Sequence, residues 1–525
     1  MNNKVTKLSV SVLLALGTTF ALSACAGQAT AADAVPDDSG ADQSQSIAAN
    51  VSELTIFHVN DRHGRVDADP FLATLRNTTP GCVLVLDAGD TFHGQPAANL
   101  TEGETMAELS NLVGYTAIAP GNHDFNFGAD RLAELSNLLD FPVLAANVLD
   151  RETGEAAFDT YKMFTCDDGT QVGLIGLATP ETVTKTNPSN VESLEFLEPA
   201  PAATAAVEAL QAQGADIIVA VSHLGLDEST LPEWRSDYLA LNVEGIDIII
   251  DGHSHDRLEN GLDVNGVLIA SAWEHGNDIG QIDVTISAEG AVSATATLLN
   301  VAEDGVLGVE PDTAVLDLIH AFNAQIEELT STVVGETPYY LNGVRADVRT
   351  SETNLANLIA DAMLAGTGAD IALMNGGGIR DSIQAGPITM GDVLTVLPFS
   401  NNLVTIDITG QQLIDALEWG VRNYPDEDGG FIHVGGLTFD MNPAAEALSR
   451  VSNVKLSDGT AIDVNARYTV ATLNFLADGG DGYTMLADHT EFIAFGSDFE
   501  LFSEYLRNNP VINQDAAGRM NVVAH

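Results

Sequence analysis

Leu84-Val-Leu-Asp-Ala-Gly-Asp-Thr-Phe-His-Gly94 is the stretch that decides the fold. Residues 83–86 have strand character and run into Asp87-Ala-Gly-Asp90, where the chain turns sharply. An aspartate just past a buried strand has a fixed carboxylate that is still reachable, so Asp90 is well placed to hold a cation. Asp61 and His63 come before it, and Asn122, His123, His223, His253 and His255 come after it. Each follows another apolar run, at 54–59, 117–119, 217–221 and 246–250. In an open α/β sheet, ligands bind in the crevice outside the carboxyl ends of the strands. Five strand ends delivering Asp, His and Asn to one crevice predict a two-metal site, with Asp90 as the bridging carboxylate.

Outward from that crevice, residues 51–301 alternate strand and helix patterns. Helical periodicity marks 70–76, 104–113, 129–139 and 202–213, each between strand-like runs. Such alternation indicates βαβ units of an α/β fold, packed as a sheet sandwich with helices outside. Pro311 opens a long helical stretch at 312–329 that closes before Gly335 and reads as a connector. A second α/β domain follows from 333, with a helix at 353–364 and strands at 371–374, 403–408 and 468–472. The expected division is a signal peptide at 1–24, a tether at 25–50, a catalytic domain at 51–302, a connector at 303–332 and a substrate domain at 333–525.

Composition agrees with this size. A chain of 525 residues predicts two or three domains, and 45% hydrophobic residues against 18% charged supply sizeable cores. At the N-terminus, Lys4 and Lys7 precede an apolar run, 8–22, too short to span a membrane. Leu22-Ser-Ala-Cys25 resembles the bacterial lipobox, which implies lipidation of Cys25 and a membrane anchor outside the cytoplasm. Residues 26–50, rich in Ala, Asp, Ser and Gln, read as a flexible tether. Cys82 and Cys166 remain after maturation, either bridged or as two separate thiols. Only 18 basic residues then face 75 acidic ones, which argues against nucleic acid polymers as partners. Lysine is nearly absent from the mature chain (Lys162, Lys185 and Lys455), so arginine clusters become informative.

In the crevice, Asp61-Arg-His63 places a carboxylate and an imidazole two apart, on the same side of an extended segment. Gly121-Asn122-His123, Ser222-His223 and Gly252-His253-Ser-His255 complete the set. A single His after a strand is usually a hydrogen-bonded turn residue. Five segments placing ligand types at equivalent strand ends are another matter. Their order resembles that of the calcineurin-like metallophosphoesterases, and the mature chain resembles the bacterial 5'-nucleotidase and UDP-sugar hydrolase family. The resemblance implies a four-layer β-sandwich with flanking helices and a second α/β substrate-binding domain. It also implies two divalent metal ions, Zn, Mn, Fe or Co, suited to mixed N/O ligands. Asp61, His63, Asp90 and His255 would hold one, and Asp90, Asn122, His223 and His253 the other. His123 would donate to the phosphoryl group or the leaving ribose oxygen. Many 5'-nucleotidases carry Asp where this chain has Asn126, which would orient His123 through its amide oxygen without adding charge. Asn there resembles the cyclic-nucleotide branch of the family.

In the second domain, Arg345, Arg349 and Arg380 lie within one short stretch of a very acidic chain, which suggests an anion pocket. Salt bridges to Asp347, Glu352 or Asp381 are the bland alternative. By resemblance, the three arginines face phosphate and ribose. Phe399 and Phe475 would stack on the nucleobase, with Asn401 and Asp481 making polar contacts. The reading is an extracytoplasmic, lipid-anchored 5'-nucleotidase using metal-activated water on nucleoside 5'-monophosphates, and also on other nucleotides or UDP-sugars. A 2',3'-cyclic-nucleotide 2'-phosphodiesterase/3'-nucleotidase is the alternative, and an acidic cation-binding surface protein is the non-enzymatic one.

Overall fold

The computed structural model describes residues 52–301, 305–306, 308–399, 401–512 and 518–523. The signal peptide, the tether and Cys25 lie outside the described residues. Among the described residues no helix is long and apolar enough to cross a membrane.

Two sheets face each other in the first half. One has five strands in the order Val292–Asn300, Asp278–Ile286, Ser52–Val59, Cys82–Asp87 and Ala117–Ile118. The other has six, in the order Leu262–Val264, Val267–Ala270, Ile248–Ile250, Ile217–His223, Gln171–Ala178 and Tyr161–Thr165. The strands that feed the crevice pair in parallel, so their carboxyl ends point the same way.

Alternation along each strand sorts side chains into layers. Leu54, Ile56, Leu84 and Leu86 meet Val219, Val221, Ile248 and Ile250 in the core between the sheets. Phe57, Val59 and Val85 point outward, against the helices Asp69–Thr78 and Glu104–Val113. On the far side, Ile218, Ala220 and Ile249 meet the helix Pro199–Gln213. Strands buried on both faces read as unbroken apolar runs, which is why they stand out in the sequence. The expected four-layer sandwich is what forms. Cys82 and Cys166 are disulfide-bonded, 84 residues apart, tying one sheet to the other, so the two-thiol alternative falls away.

The long helix spans Thr313–Thr330, capped by Asp312 through bonds from the Ala314 and Val315 amides. It does more than connect. Val315 and Phe322 are buried in the helix-side core of the first half. The second domain carries a five-stranded sheet in the order Ile432–Gly435, Ile371–Asn375, Arg467–Leu473, Asn402–Thr409 and Phe492–Ser497. The buried helix Asn354–Thr367 shares its core.

Candidate active site

The crevice forms where expected, but its turns are tighter than the sequence reading allowed. Asp61 and His63 sit at φ 49° and 49°, not in an extended segment. Asp90 (57°), His253 (73°) and His255 (57°) share the left-handed region, which non-glycine residues rarely adopt. Five such outliers at one place are strain that the surroundings must hold. The Asp61 amide donates to Gly89 O at 2.9 Å and the His63 amide to Asp90 O at 2.8 Å, locking the two turns together. Gly121 leaves room for Asp90, since a Cβ there would lie 2.2 Å from its Oδ1.

Two buried ionic groups underpin these turns, and neither was read from the sequence. Arg62 is fully buried, donating to Asp69 at 2.7 and 2.9 Å and to Asp87 at 3.1 Å. Asp124 accepts from the amides of Asp90, Thr91, Phe92 and Gly121 at 2.8–2.9 Å. Burial and the Asp90 charge nevertheless push Asp124 up to about 7.

Asp61, His63 and His255 offer ligand atoms all within 4.8 Å of one another, as do Asp61, Asp90 and His223. His223 Nε2 lies 3.4 Å from Asp90 and 3.9 Å from Asp61, yet it is buried without a hydrogen-bond partner. Burial would lower the pKa of His223, but Asp90 and Asp61 raise it to about 10. An unpartnered imidazole nitrogen facing two carboxylates is a donor set that fits a divalent cation. Asp61 belongs to both groups, and Asn122 and His253 lie beside each other at the same crevice. Asn122 Oδ1 and His253 Nδ1 are 3.0 Å apart, and His253 Nε2 lies 2.8 Å from Glu181. Burial pushes Glu181 up, but its bond with His253 and the charges of His253 and Lys185 bring it down to about 2.

Burial, aided by Arg380 and opposed by Asp90, holds the His123 pKa well below the usual imidazole range. The expectation for Asn126 is corrected in detail. Its amide nitrogen, not its oxygen, donates to His123 Nδ1 at 3.1 Å. The Asn126 oxygen accepts from the Thr186 hydroxyl at 2.8 Å. The arrangement leaves the His123 proton on Nε2.

From the other side, Arg345 approaches His255 Nδ1 at 3.4 Å and Arg380 approaches His63 Nε2 at 3.4 Å. Arg349 is pushed well below its ordinary pKa by burial, Arg345 and Arg380. The expected salt-bridge partners are engaged elsewhere, Asp381 with Arg65 at 3.1 Å and Glu352 with the amides of Gly518, Arg519 and Met520, although Arg345 does pair with Glu427 at 3.4 Å. Asp347 accepts from Asn342. Phe399 stacks on His93 (ring centroids 5.0 Å, 12°) and tilts against His123 at 5.2 Å. Phe475 is nearly buried against Gly480. Asp481 accepts from Asn375 at 2.8 Å. Asn401, whose carbonyl accepts from the Asp498 amide at 2.8 Å, also lines the cleft. Both halves thus line one cleft of about 860 Å³.

Glu181 and Glu274 were missed. Glu274 lies against His255 Nδ1, orienting it as Glu181 orients His253. Both follow strands of the six-stranded sheet, Gln171–Ala178 and Val267–Ala270, so the strand-end rule that found the other residues reaches them too.

Residues 54–257 match the calcineurin-like phosphoesterase model, and residues 331–488 match that of the 5'-nucleotidase C-terminal domain. A 5'-nucleotidase of Vibrio vulnificus is 30% identical over 88% of this chain and 91% of its own. The chain belongs to the 5'-nucleotidase family. The trifunctional nucleotide phosphoesterase YfkN of Bacillus subtilis is 34% identical over 87% of this chain, which spans only 34% of that relative's length. A crystal structure of a 5'-nucleotidase precursor from Thermus thermophilus superimposes with a TM-score of 0.79 at 33% identity. It covers 90% of this chain and 99% of its own. As a member of the family, the chain is a metal-dependent phosphoric ester hydrolase acting on nucleotides, and its fold implies divalent metal ions.

Proposed function

We propose that the chain is an extracytoplasmic 5'-nucleotidase releasing phosphate from nucleoside 5'-monophosphates. The observation that supports this most is the shared cleft. Asp90, His123, His253 and His255 line one space of about 860 Å³ with Arg345, Arg349, Arg380, Phe399 and Phe475, the size of a small-molecule site.

In this reading Asp61, His63, Asp90, Asn122, His223, His253 and His255 hold two transition-metal ions. Bound there, the metals polarise the phosphoryl oxygens and make water a stronger nucleophile at neutral pH. Glu181 and Glu274 fix the rings of His253 and His255, as outer partners of ligating histidines do. Arg345, Arg349 and Arg380 neutralise phosphate charge. A neutral His123 donates its Nε2 proton in a hydrogen bond to the phosphoryl or leaving ribose oxygen, and Asn126 and Thr186 hold it in that tautomer. Phe399 and Phe475 flank the base, with Asn401 and Asp481 contacting base and ribose. The proposed domains keep the boundaries 51–302 and 333–525, with lipid anchoring at Cys25.

Turnover of AMP, UDP-glucose and 2',3'-cAMP by the Mn²⁺-loaded protein tests the reading. AMP is expected to be fastest. Preference for 2',3'-cAMP would favour the cyclic-nucleotide phosphodiesterase reading, which Asn126 supports, and turnover of none would leave the acidic cation-binding protein.

A further inference from the structure

The segment 181–186 follows the strand Gln171–Ala178 and touches three side chains of the crevice. Glu181 meets His253, the Lys185 carbonyl faces the Asn122 amide at 3.4 Å, and Thr186 donates to Asn126. One polar group of this strap has no part in the scheme above. The Lys185 ammonium reaches across the cleft to lie 3.7 Å from Asp481 Oδ1 of the second domain. Of the three lysines beyond Cys25, Lys185 is the one that lines the cleft. Asp481 is itself fixed in place. It is largely buried, sits at φ 51° and gives its other oxygen to Asn375.

An ion pair held this way selects by chemistry. A phosphate brought to Lys185 meets the charges of Asp481, Glu181 and Asp428. A cation brought to Asp481 meets Lys185, with Arg349 close by. A neutral group with a donor and an acceptor side by side satisfies both. A vicinal diol is such a group: one O–H donates to the Asp481 carboxylate while a hydroxyl lone pair accepts from the Lys185 ammonium. With phosphate at the arginines and the base beside Phe475, the part of a nucleotide between them is the ribose.

We propose that Lys185 is a specificity residue whose ammonium holds the ribose 2',3'-diol against Asp481, selecting ribonucleotides over 2'-deoxyribonucleotides. This rests on the 5'-nucleotidase reading. Hydrogen bonds to charged groups are the stronger ones, so losing one hydroxyl is expected to cost about ten- to a hundredfold in kcat/KM.

The test compares AMP, 2'-deoxy-AMP and p-nitrophenyl phosphate on the Mn²⁺-loaded wild type and on Lys185→Met. Wild type should prefer AMP to 2'-deoxy-AMP by at least about tenfold. Lys185→Met should lose most of that preference through a fall on AMP alone, while Lys185→Arg keeps a part of it. Wild type treating AMP and 2'-deoxy-AMP alike would overturn the proposal without any variant having to fold. Equal losses on all three substrates would overturn it too, marking Lys185–Asp481 as a strut between domains, and so would an unchanged preference. Wild type inactive on every 5'-mononucleotide would overturn the nucleotidase reading instead. Tighter binding of adenosine than of 2'-deoxyadenosine by calorimetry would then still decide for Lys185, and equal binding against it.

Discussion

Asp61 and His63 stand on a turn whose middle residue, Arg62, is buried against Asp69 with both side chains 1% exposed. Across the cleft, Arg345 and Arg380 reach His255 and His63 from another domain, and the nearby Arg65–Asp381 pair is 32% and 43% exposed. The metal side is therefore built into one core, with its strained turns held by buried charge. The nucleotide side comes into register only when two domains meet, at Pro398, which accepts from Asn99 at 2.9 Å and lies 3.1 Å from His93, and at Lys185–Asp481. Damage to the first should abolish chemistry or fold. Damage to the second should change which substrates are used.

The largest effect is expected at Asp90, which touches groups on both sides of the crevice. Asp90→Asn should lower kcat on every substrate by more than the roughly 10- to 100-fold seen for outer partners of metal ligands. Near wild-type turnover with Mn²⁺ supplied would remove Asp90 from the centre. Arg62→Met comes next. It strips the partner from Asp69 and Asp87 and should cost about 3–5 kcal/mol of stability by urea unfolding. Arg65→Ala, at the exposed pair, should cost less than about 1 kcal/mol. Equal costs would erase the contrast between the two regions.

Phe399→Ala with Phe475→Ala should lower kcat/KM for AMP by about ten- to a hundredfold, the worth of stacking on a base, and leave p-nitrophenyl phosphate far less affected. Because Phe399 also rests on His93 and His123, equal losses on both substrates would show that the rings act through His123 rather than on the base.

A smaller effect concerns pH. Burial raises Asp498, at the start of the helix Asp498–Asn508, to about 8. The folded protein thus keeps a proton that the unfolded chain releases near pH 4. Stability from this group is greatest below about pH 4, falls as pH rises towards 8 and then levels off. Asp498→Asn should flatten that part of the Tm–pH curve between pH 5 and 8 and raise Tm at pH 8. Parallel curves would show that Asp498 ionises normally.

Much of the crevice was legible because each proposed ligand follows a doubly buried strand, and such strands are unbroken apolar runs. The helix Glu104–Val113 even falls within its expected bounds. What could not be read were the pairings. Arg62 finds Asp87 across 25 residues, His253 finds Glu181 across 72, and Arg380 approaches His63 across 317. No local pattern encodes such distances. The left-handed turns were hidden for a related reason. Asp and His pay a steric cost there that only the assembled hydrogen bonds of Gly89, Asp90 and Asp124 offset.

The most direct test is a metal titration of chelated protein, with bound metal per chain and AMP turnover measured together. The apoprotein is expected to be inactive, with two ions bound per chain at full activity and tight binding of both lost in Asp90→Asn. Full AMP turnover without metal, or two ions still tightly held by Asp90→Asn, would contradict it.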